Sequence, residues 1–216
     1  MNGALLVVAK APVPGLAKTR LCPPATPHQA AEIAAAALLD TLDAVLRTPG
    51  TTPYVAFTGS LAQARRSNEI AALLAQCQVF EQRGESFADR LAAAHAEVAR
   101  RSPGLPVVQI GMDTPQVSPL LLRSAFAAIR DAAVGRAPDG GWWALGLRDP
   151  NHAEVLRSVP MSQDDTGDLT VKALSDKGLD VSELPMLSDV DTMVDAFAVA
   201  DAVPAGRFAQ AVEALR

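Results

Sequence analysis

Three cations on one short stretch set the chemical question. Ala4-Leu-Leu-Val-Val-Ala9 is a small apolar run with the composition of a buried strand, and it opens into Lys10-Ala-Pro-Val-Pro-Gly-Leu-Ala-Lys18-Thr-Arg20-Leu21. No Asp or Glu precedes Glu32, so Lys10, Lys18 and Arg20 stand unopposed along the chain in a protein of formal net charge −5. A local positive field of this kind suits a phosphorylated ligand. Pro12 and Pro14 lack N–H groups and stiffen the loop, while Gly15 permits a turn that a side chain would hinder. Solvated surface charge is the plain alternative for any single lysine. Three cations directly after a first strand favour anion binding, because open α/β sheets take ligands beyond the carboxyl ends of their strands. The loop is not a G-x-x-x-x-G-K-[ST] phosphate loop, since Ala17 precedes Lys18, and no G-x-G-x-x-G run is present. Lys18 is expected to be exposed.

Carboxylates at four other places could do chemistry, each with a bland alternative. Asp113 lies just past the apolar run 106–110, which reads as a central parallel strand, and Pro115 keeps Thr114 extended. A turn-forming Asp is common in loops. The strand-end position, without any His or Cys ligand spacing, favours a hard cation held by oxygen. His28, His95 and His152 make no zinc pattern, and His95 falls on the polar side or edge of its helix. Asp139-Gly140-Gly141 between apolar runs is a hairpin signal, followed by Trp142 and Trp143, which on a strand must face opposite sides. Asp164-Asp165-Thr166-Gly167 and Asp189-Val190-Asp191-Thr192 each precede a helix, so capping is the first reading of both. A helix amino terminus also attracts anions, so Asp164 or Asp165 could instead orient an acceptor or serve as a base.

The elements that must position these residues follow from spacing. Thr26-Pro27 is an N-cap followed by proline, and Ala34, Leu38, Leu42 and Val45 predict a helix over 27–47. Strands are expected over 52–57, 78–82, 106–110 and 132–136, with an edge strand over 181–184. Helices are expected over 61–75, 86–100, 118–130, 193–202 and 205–215, and another that follows 164–167 and reaches about 177. Ser86 and Asp89 have capping-box spacing at the start of the third helix. This βα alternation implies one α/β domain spanning 1–216. With 216 residues, 49% of them hydrophobic and 20% charged, the chain has the composition of an ordinary globular protein. Its acidic balance excludes coating of nucleic acid. Cys22 and Cys77 are expected to be free, and the run 4–9 is too short for a membrane span or a signal peptide, which implies a cytoplasmic location.

Ala9-Lys-Ala-Pro-Val-Pro-Gly-Leu-Ala-Lys-Thr-Arg-Leu21, Gly111-Met-Asp-Thr-Pro115, Asp139-Gly-Gly-Trp-Trp143, Asp164-Asp-Thr-Gly167 and Asp189-Val-Asp-Thr192 occur in an order that resembles a bacterial branch of the nucleotide-diphospho-sugar transferase superfamily, of GT-A fold. That branch is long catalogued as uncharacterised or provisionally as glycosyltransferases. The loop is also similar to that of the 2-phospholactate guanylyltransferases and, more distantly, the molybdenum-cofactor guanylyltransferases. The resemblance covers nearly the whole chain. It implies that Ala9, Lys10, Gly15, Lys18, Arg20, Arg83 and Asp89 border a nucleotide, and that Asp139, Gly140, Gly141, Trp143, Asp164 and Asp165 lie near an acceptor. It also implies that Asp113 and Asp191 share Mg²⁺ or Mn²⁺. One departure weakens the glycosyltransferase form: classical members carry Asp-x-Asp where this chain has Asp113-Thr-Pro115.

The resulting expectation is a single-domain α/β protein of GT-A type, with a mostly parallel sheet flanked by helices. It would be a metal-dependent nucleotidyltransferase moving a nucleoside monophosphate from a triphosphate to a small phosphorylated or carboxylated acceptor, with Lys18, Arg20 and Asp113 as catalytic groups. Glycosyl transfer from a nucleotide sugar is the alternative, and a nucleotide-binding regulator without turnover is a third reading. The base, the acceptor and the oligomeric state are not legible.

Overall fold

Residues 4–7 of the first strand, β1 (Gly3–Lys10), are all fully buried, which requires a strand covered on both faces and explains its unbroken apolar run. The structure, a computed structural model, describes residues 2–216. On one side β1 pairs in parallel with β2 (Thr51–Thr58), and β2 with the edge strand β3 (Gln78–Glu81). On the other side β1 pairs in parallel with β4 (Val107–Gly111). Beyond β4 the chain inserts β6 (Trp142–Leu147), antiparallel both to β4 and to β5 (Ala132–Arg136), and β7 (Val181–Leu184) closes the second edge parallel to β5. The seven strands thus run in the order β3-β2-β1-β4-β6-β5-β7.

Alternation along β1 assigns its faces. Leu5 and Val7 pack with Leu38, Leu39 and Leu42 of α1 (Pro27–Leu46), Ile70 of α2 (Ser67–Leu74) and Leu122 and Phe126 of α4 (Pro119–Ala128). Ala4 and Leu6 instead meet Ala94 and Val98 of α3 (Phe87–Arg101). Each such Leu or Val taken from water contributes about 1.5–3 kcal/mol before the entropy of ordering is counted. Leu91 of α3 joins Leu145, Leu147, Leu156 of a 3₁₀ segment (Pro150–Ser158) and Leu174 of α5 (Thr166–Asp176) in a separate cluster. The outer face of α1, through Ile33 and Ala37, packs on α6 (Met193–Ala202) and α7 (Arg207–Glu213), with Phe208 and Val212 at the centre. That second contact explains why α1 is rich in alanine. Small side chains allow close approach on two sides.

Three local expectations are corrected. The helix expected over 61–75 is broken into a 3₁₀ turn (Leu61–Gln63) and α2, with Arg66 in the left-handed region at φ 51°. A tertiary bond competes with helix there: Arg65 N–H donates to Pro12 O at 3.0 Å, tying this connection to the loop after β1. His95 is fully buried rather than at a polar edge, because it lies on the side of α3 that faces β4. Its Nε2 lies 3.0 Å from Gln109 Oε1 on β4. The 3₁₀ segment Pro150–Ser158 was itself not expected. Cys22 and Cys77 are both free, and no helix among the described residues is long and apolar enough to cross a membrane.

Candidate functional site

The loop after β1 is held at both ends by backbone bonds. Ala11 N–H donates to Thr58 O at 2.9 Å, Pro12 O accepts from Arg65, and Leu16 and Ala17 N–H both donate to Val13 O. Gly15 turns at φ +77°, a conformation strained for any other residue. Lys18 then adopts φ 47°, ψ 45°, a left-handed geometry that costs a non-glycine residue about 1–2 kcal/mol. Such strain persists only where the surroundings over-determine it. Here a 3₁₀ turn (Thr19–Leu21) follows at once, and fully buried Leu21 anchors it in the α1/α6/α7 cluster.

The Lys18 side chain is 14% exposed, contrary to the expectation of a solvent-facing residue. Its Nζ donates to Asp113 Oδ2 at 2.7 Å and to Asp191 Oδ1 at 2.8 Å, and Arg20 Nη1 donates to Asp191 Oδ2 at 2.9 Å. Two of the three cations unopposed along the chain, Lys18 and Arg20, are therefore opposed in space. Burial works against the Lys18 charge, but the Asp113 and Asp191 carboxylates more than offset it and hold its pKa above the ordinary lysine value.

Asp113 follows β4 directly, and the turn it occupies needs Gly111, where a Cβ would fall 2.6 Å from Asp113 Oδ1. Asp113 O accepts from Val190 N–H at 3.0 Å, and the Val190 side chain is fully buried against α1, α6 and α7. Asp189 and Asp191 flank that buried residue and so project away from the core together. Neither caps the following helix. Thr192 does, in a reciprocal capping box with Asp195. Asp113, Asp189 and Asp191 each bring an oxygen to within 4.8 Å of the others, a donor set that could hold a metal ion. Asp189 is the functional candidate that sequence reasoning missed, although its alternation with Asp191 about an apolar Val was visible.

The electrostatics of the three acids differ. Burial opposes ionisation of Asp191, but Lys18 and Arg20 outweigh it and leave the pKa below the usual value. Asp189 makes no ion pair among the described residues, and the Lys18 charge is the smallest influence on it. Burial first, then the carboxylates of Asp113, Asp191 and Asp139, push its pKa up to about 6. The resident cations thus leave negative charge uncompensated, and a set of hard oxygen donors with surplus negative charge fits a divalent cation of the Mg²⁺ or Mn²⁺ type.

A cleft of about 770 Å³ runs from this cluster along the carboxyl ends of β1 and β4. Of the residues expected at a nucleotide, Ala9, Lys10, Lys18 and Arg20 line it, whereas Gly15, Arg83 and Asp89 do not. Asp89 is occupied with Ser86 in the capping box of α3 and with the guanidinium of Arg157. Phe87 and Arg90, one turn apart on α3, line the cleft in its place. Phe87 is 46% exposed, which is unusual for so large an apolar side chain.

Of the residues expected at an acceptor, Asp139, Gly141 and Asp164 line the cleft. Gly140 shapes the wall from behind, since Gly167 N–H donates to Gly140 O at 2.7 Å and a Cβ at Gly140 would sit 1.7 Å from Asp164 O. Asp165 is the N-cap of α5 but makes no side-chain capping bond, and it does not line the cleft. The tryptophans are reversed from expectation. Trp143 is 2% exposed, with its indole N–H donating to Pro185 O at 2.9 Å, and Trp142 faces the cleft.

A family model described as "Uncharacterized protein conserved in bacteria (DUF2064)" matches residues 41–163, a span that contains Asp113 and Asp139 but neither Lys18 nor Asp191. No curated protein matches the chain. Among solved structures, a protein of Desulfovibrio desulfuricans G20, provisionally called a nucleotide-diphospho-sugar transferase, is similar at 26% identity and TM-score 0.77, over 89% of this chain and 84% of that one. The 4-diphosphocytidyl-2C-methyl-D-erythritol synthase of Anaerococcus prevotii DSM 20548 is similar at 10% identity and TM-score 0.59, over 94% and 96% of the two chains. A CMP:2-keto-3-deoxy-manno-octonic acid synthetase solved with CTP is similar at 14% identity and TM-score 0.56, over 94% and 99%. The latter two likenesses concern the fold alone.

Proposed function

The chain belongs to the family of uncharacterized proteins conserved in bacteria (DUF2064), and we propose that it is a metal-dependent transferase using a nucleotide donor, of the nucleotidyl-transfer type. The observation that carries this reading is the cluster of Lys18, Arg20, Asp113, Asp189 and Asp191 at the carboxyl ends of β1 and β4, opening on a cleft large enough for a nucleotide and a small acceptor. The likeness to a Desulfovibrio protein called a nucleotide-diphospho-sugar transferase supports the donor class.

In this reading Lys18 and Arg20 face the phosphates of a nucleoside triphosphate. Asp113, Asp189 and Asp191 would hold Mg²⁺ or Mn²⁺, which supplies neutralisation of the crowded phosphate charge. An acceptor oxygen bonds to the α-phosphorus as the bond from that phosphorus to the bridging oxygen breaks, and pyrophosphate leaves with the electron pair. The proton lost by the acceptor oxygen goes to a carboxylate on the cleft wall, a role we assign to Asp164 because it lines the cleft. No covalent enzyme nucleophile is needed. The protein positions the reactants and stabilises charge. Lys10 and Arg90 line the same cleft and form no ion pair among the described residues, which supports an acceptor bearing phosphate or carboxylate.

Glycosyl transfer from a nucleotide sugar is the second reading, favoured by the name of the Desulfovibrio relative. Incubation with each nucleoside triphosphate, Mg²⁺ and a panel of phosphorylated and carboxylated acids separates the readings. Acceptor-dependent pyrophosphate release is expected. Release of nucleoside diphosphate from nucleotide sugars, without pyrophosphate from any triphosphate, replaces it with glycosyl transfer. Nucleotide binding without either product points to a regulator.

A further inference from the structure

Lys18 sits where a cation shared by Asp113 and Asp191 would sit. Its Nζ takes up one oxygen of Asp113 at 2.7 Å and one of Asp191 at 2.8 Å, and Arg20 engages the second oxygen of Asp191 at 2.9 Å. Asp189 belongs to the same oxygen cluster, yet it makes no hydrogen bond or ion pair among the described residues. One carboxylate of the three therefore stands ready for a metal, and the other two are already bonded to a protein cation.

A divalent ion coordinated by Asp113 and Asp191 would compete for carboxylate oxygens that now accept from Lys18. It would also bring two positive charges close to the ammonium, at a site only partly open to water, where such repulsion is weakly screened. The two cations exclude each other. The ammonium has somewhere to go, because Lys18 lines the open cleft and carries a flexible four-carbon stem.

From this exclusion, and resting on the metal-dependent reading above, we infer that Lys18 is the resident counter-ion of the nucleotide-free site. An entering divalent cation displaces its ammonium from Asp113 and Asp191 into the cleft, where the ammonium takes up the donor's phosphates. The site then binds metal alone weakly, and metal and nucleotide assist each other, since each stabilises the displaced position of Lys18. A lysine that only bound phosphate would have no influence on metal binding in the absence of nucleotide. A lysine that only held the three acids together would weaken metal binding when lost.

The test is a Mn²⁺ titration of the nucleotide-free protein, followed by electron paramagnetic resonance, for wild type, Lys18→Met, Lys18→Arg and Asp113→Asn. Lys18→Met keeps the stem and removes the charge, and it is expected to bind Mn²⁺ about tenfold more tightly, within the usual range of site coupling. Lys18→Arg keeps the competitor and should stay near wild type. A folded Lys18→Met protein with unchanged or weaker Mn²⁺ affinity overturns the exchange. Mn²⁺ binding that is indifferent to Asp113→Asn in every background overturns the metal-dependent reading itself. A second measurement needs no substitution in the protein observed: Mg²⁺ added to the wild type should move the Nζ resonance of Lys18, identified among the chain's four lysines by its absence from Lys18→Arg. Metal saturation without any change in that signal also overturns the exchange.

Discussion

Lys18 and Asp113 lie 95 residues apart in the chain, and their side chains meet at 2.7 Å because β1 and β4 are sheet neighbours that end side by side. The contact is made at the rim of a cleft with the lysine largely covered, so its loss touches stability as well as ligand binding. Lys18→Ala leaves Asp113 and Asp191 facing each other without their shared cation. Loss of its charge-assisted bonds should lower unfolding free energy by about 1–3 kcal/mol and weaken nucleotide binding by a similar amount. Denaturant unfolding at neutral pH, beside nucleotide titration, measures both. An unchanged unfolding midpoint would show that the ion pairs carry no net stability.

The adjacent tryptophans should behave oppositely. Trp143 packs its ring over Gly135, where a Cβ would lie 2.4 Å from the indole nitrogen, and bonds Pro185, so Trp143→Ala opens a core cavity and should cost about 3–5 kcal/mol. Trp142→Ala removes a cleft wall and should leave the unfolding temperature within a few degrees of wild type. As Trp142 and Trp143 are the only tryptophans, quenching or shift of emission on ligand binding should persist in Trp143→Phe and vanish in Trp142→Phe. Persistence in Trp142→Phe would place the ligand elsewhere.

Buried His95 makes stability depend on pH. Burial pushes its pKa down to about 4, and the Gln109 amide only partly opposes that, so the folded state keeps the ring neutral while the unfolded chain protonates near 6.5. A lowered folded pKa means that the stability is fully present above about pH 6.5 and is lost as pH falls towards 4, by up to about 3 kcal/mol in all. His95→Gln removes the titrating group while keeping a partner for Gln109. The variant's unfolding free energy should therefore decline less than that of wild type between pH 7 and pH 4.5. Parallel declines would mean that other groups carry the acid sensitivity.

Parts of this site could be read from the chain because each rests on local rules. Lys18, Arg20 and Asp113 stand at strand ends, where the sheet rule places ligands, and the Ser86 and Thr26 caps appear in the structure with the expected spacing. What escaped depends on contacts distant in sequence. Asp189 was missed, and Asp191, expected at the metal only through the resemblance, reads from its own residues as a helix cap. The buried Val190 and the bond from its N–H to Asp113 O turn both flanking acids towards Asp113. Alternation fixed that the two tryptophans face opposite ways, but a register shift between Gly135 and Arg136 and the space over Gly135 decide which one is core. Likewise, no feature of 61–75 reveals that Arg65 is bonded to Pro12, which is what breaks the helix.

The acids give the most direct test of mechanism. If Asp113, Asp189 and Asp191 hold one cation, then Asp113→Asn, Asp189→Asn and Asp191→Asn should each depress the rate strongly and raise the Mg²⁺ concentration needed for half-maximal rate. The effects should not add, because groups acting as one unit lose most of their function with the first substitution. The helix-cap explanation of Asp191 is already displaced by Thr192, whose hydroxyl accepts from Asp195 N–H, so a loss of rate in Asp191→Asn cannot be assigned to fraying of α6. Asp189 separates metal binding from ion pairing. It makes no ion pair or hydrogen bond among the described residues, and Asn there removes a carboxylate crowded by Asp113, Asp191 and Asp139. In metal-free buffer at neutral pH, Asp189→Asn should therefore be as stable as wild type or more so, by about 1–2 kcal/mol once solvent screening is allowed for, while its demand for Mg²⁺ rises. Rate against Mg²⁺ and unfolding in chelator, measured on the same preparations, decide it: a normal metal curve for Asp189→Asn would remove Asp189 from the site and leave the cation to Asp113 and Asp191.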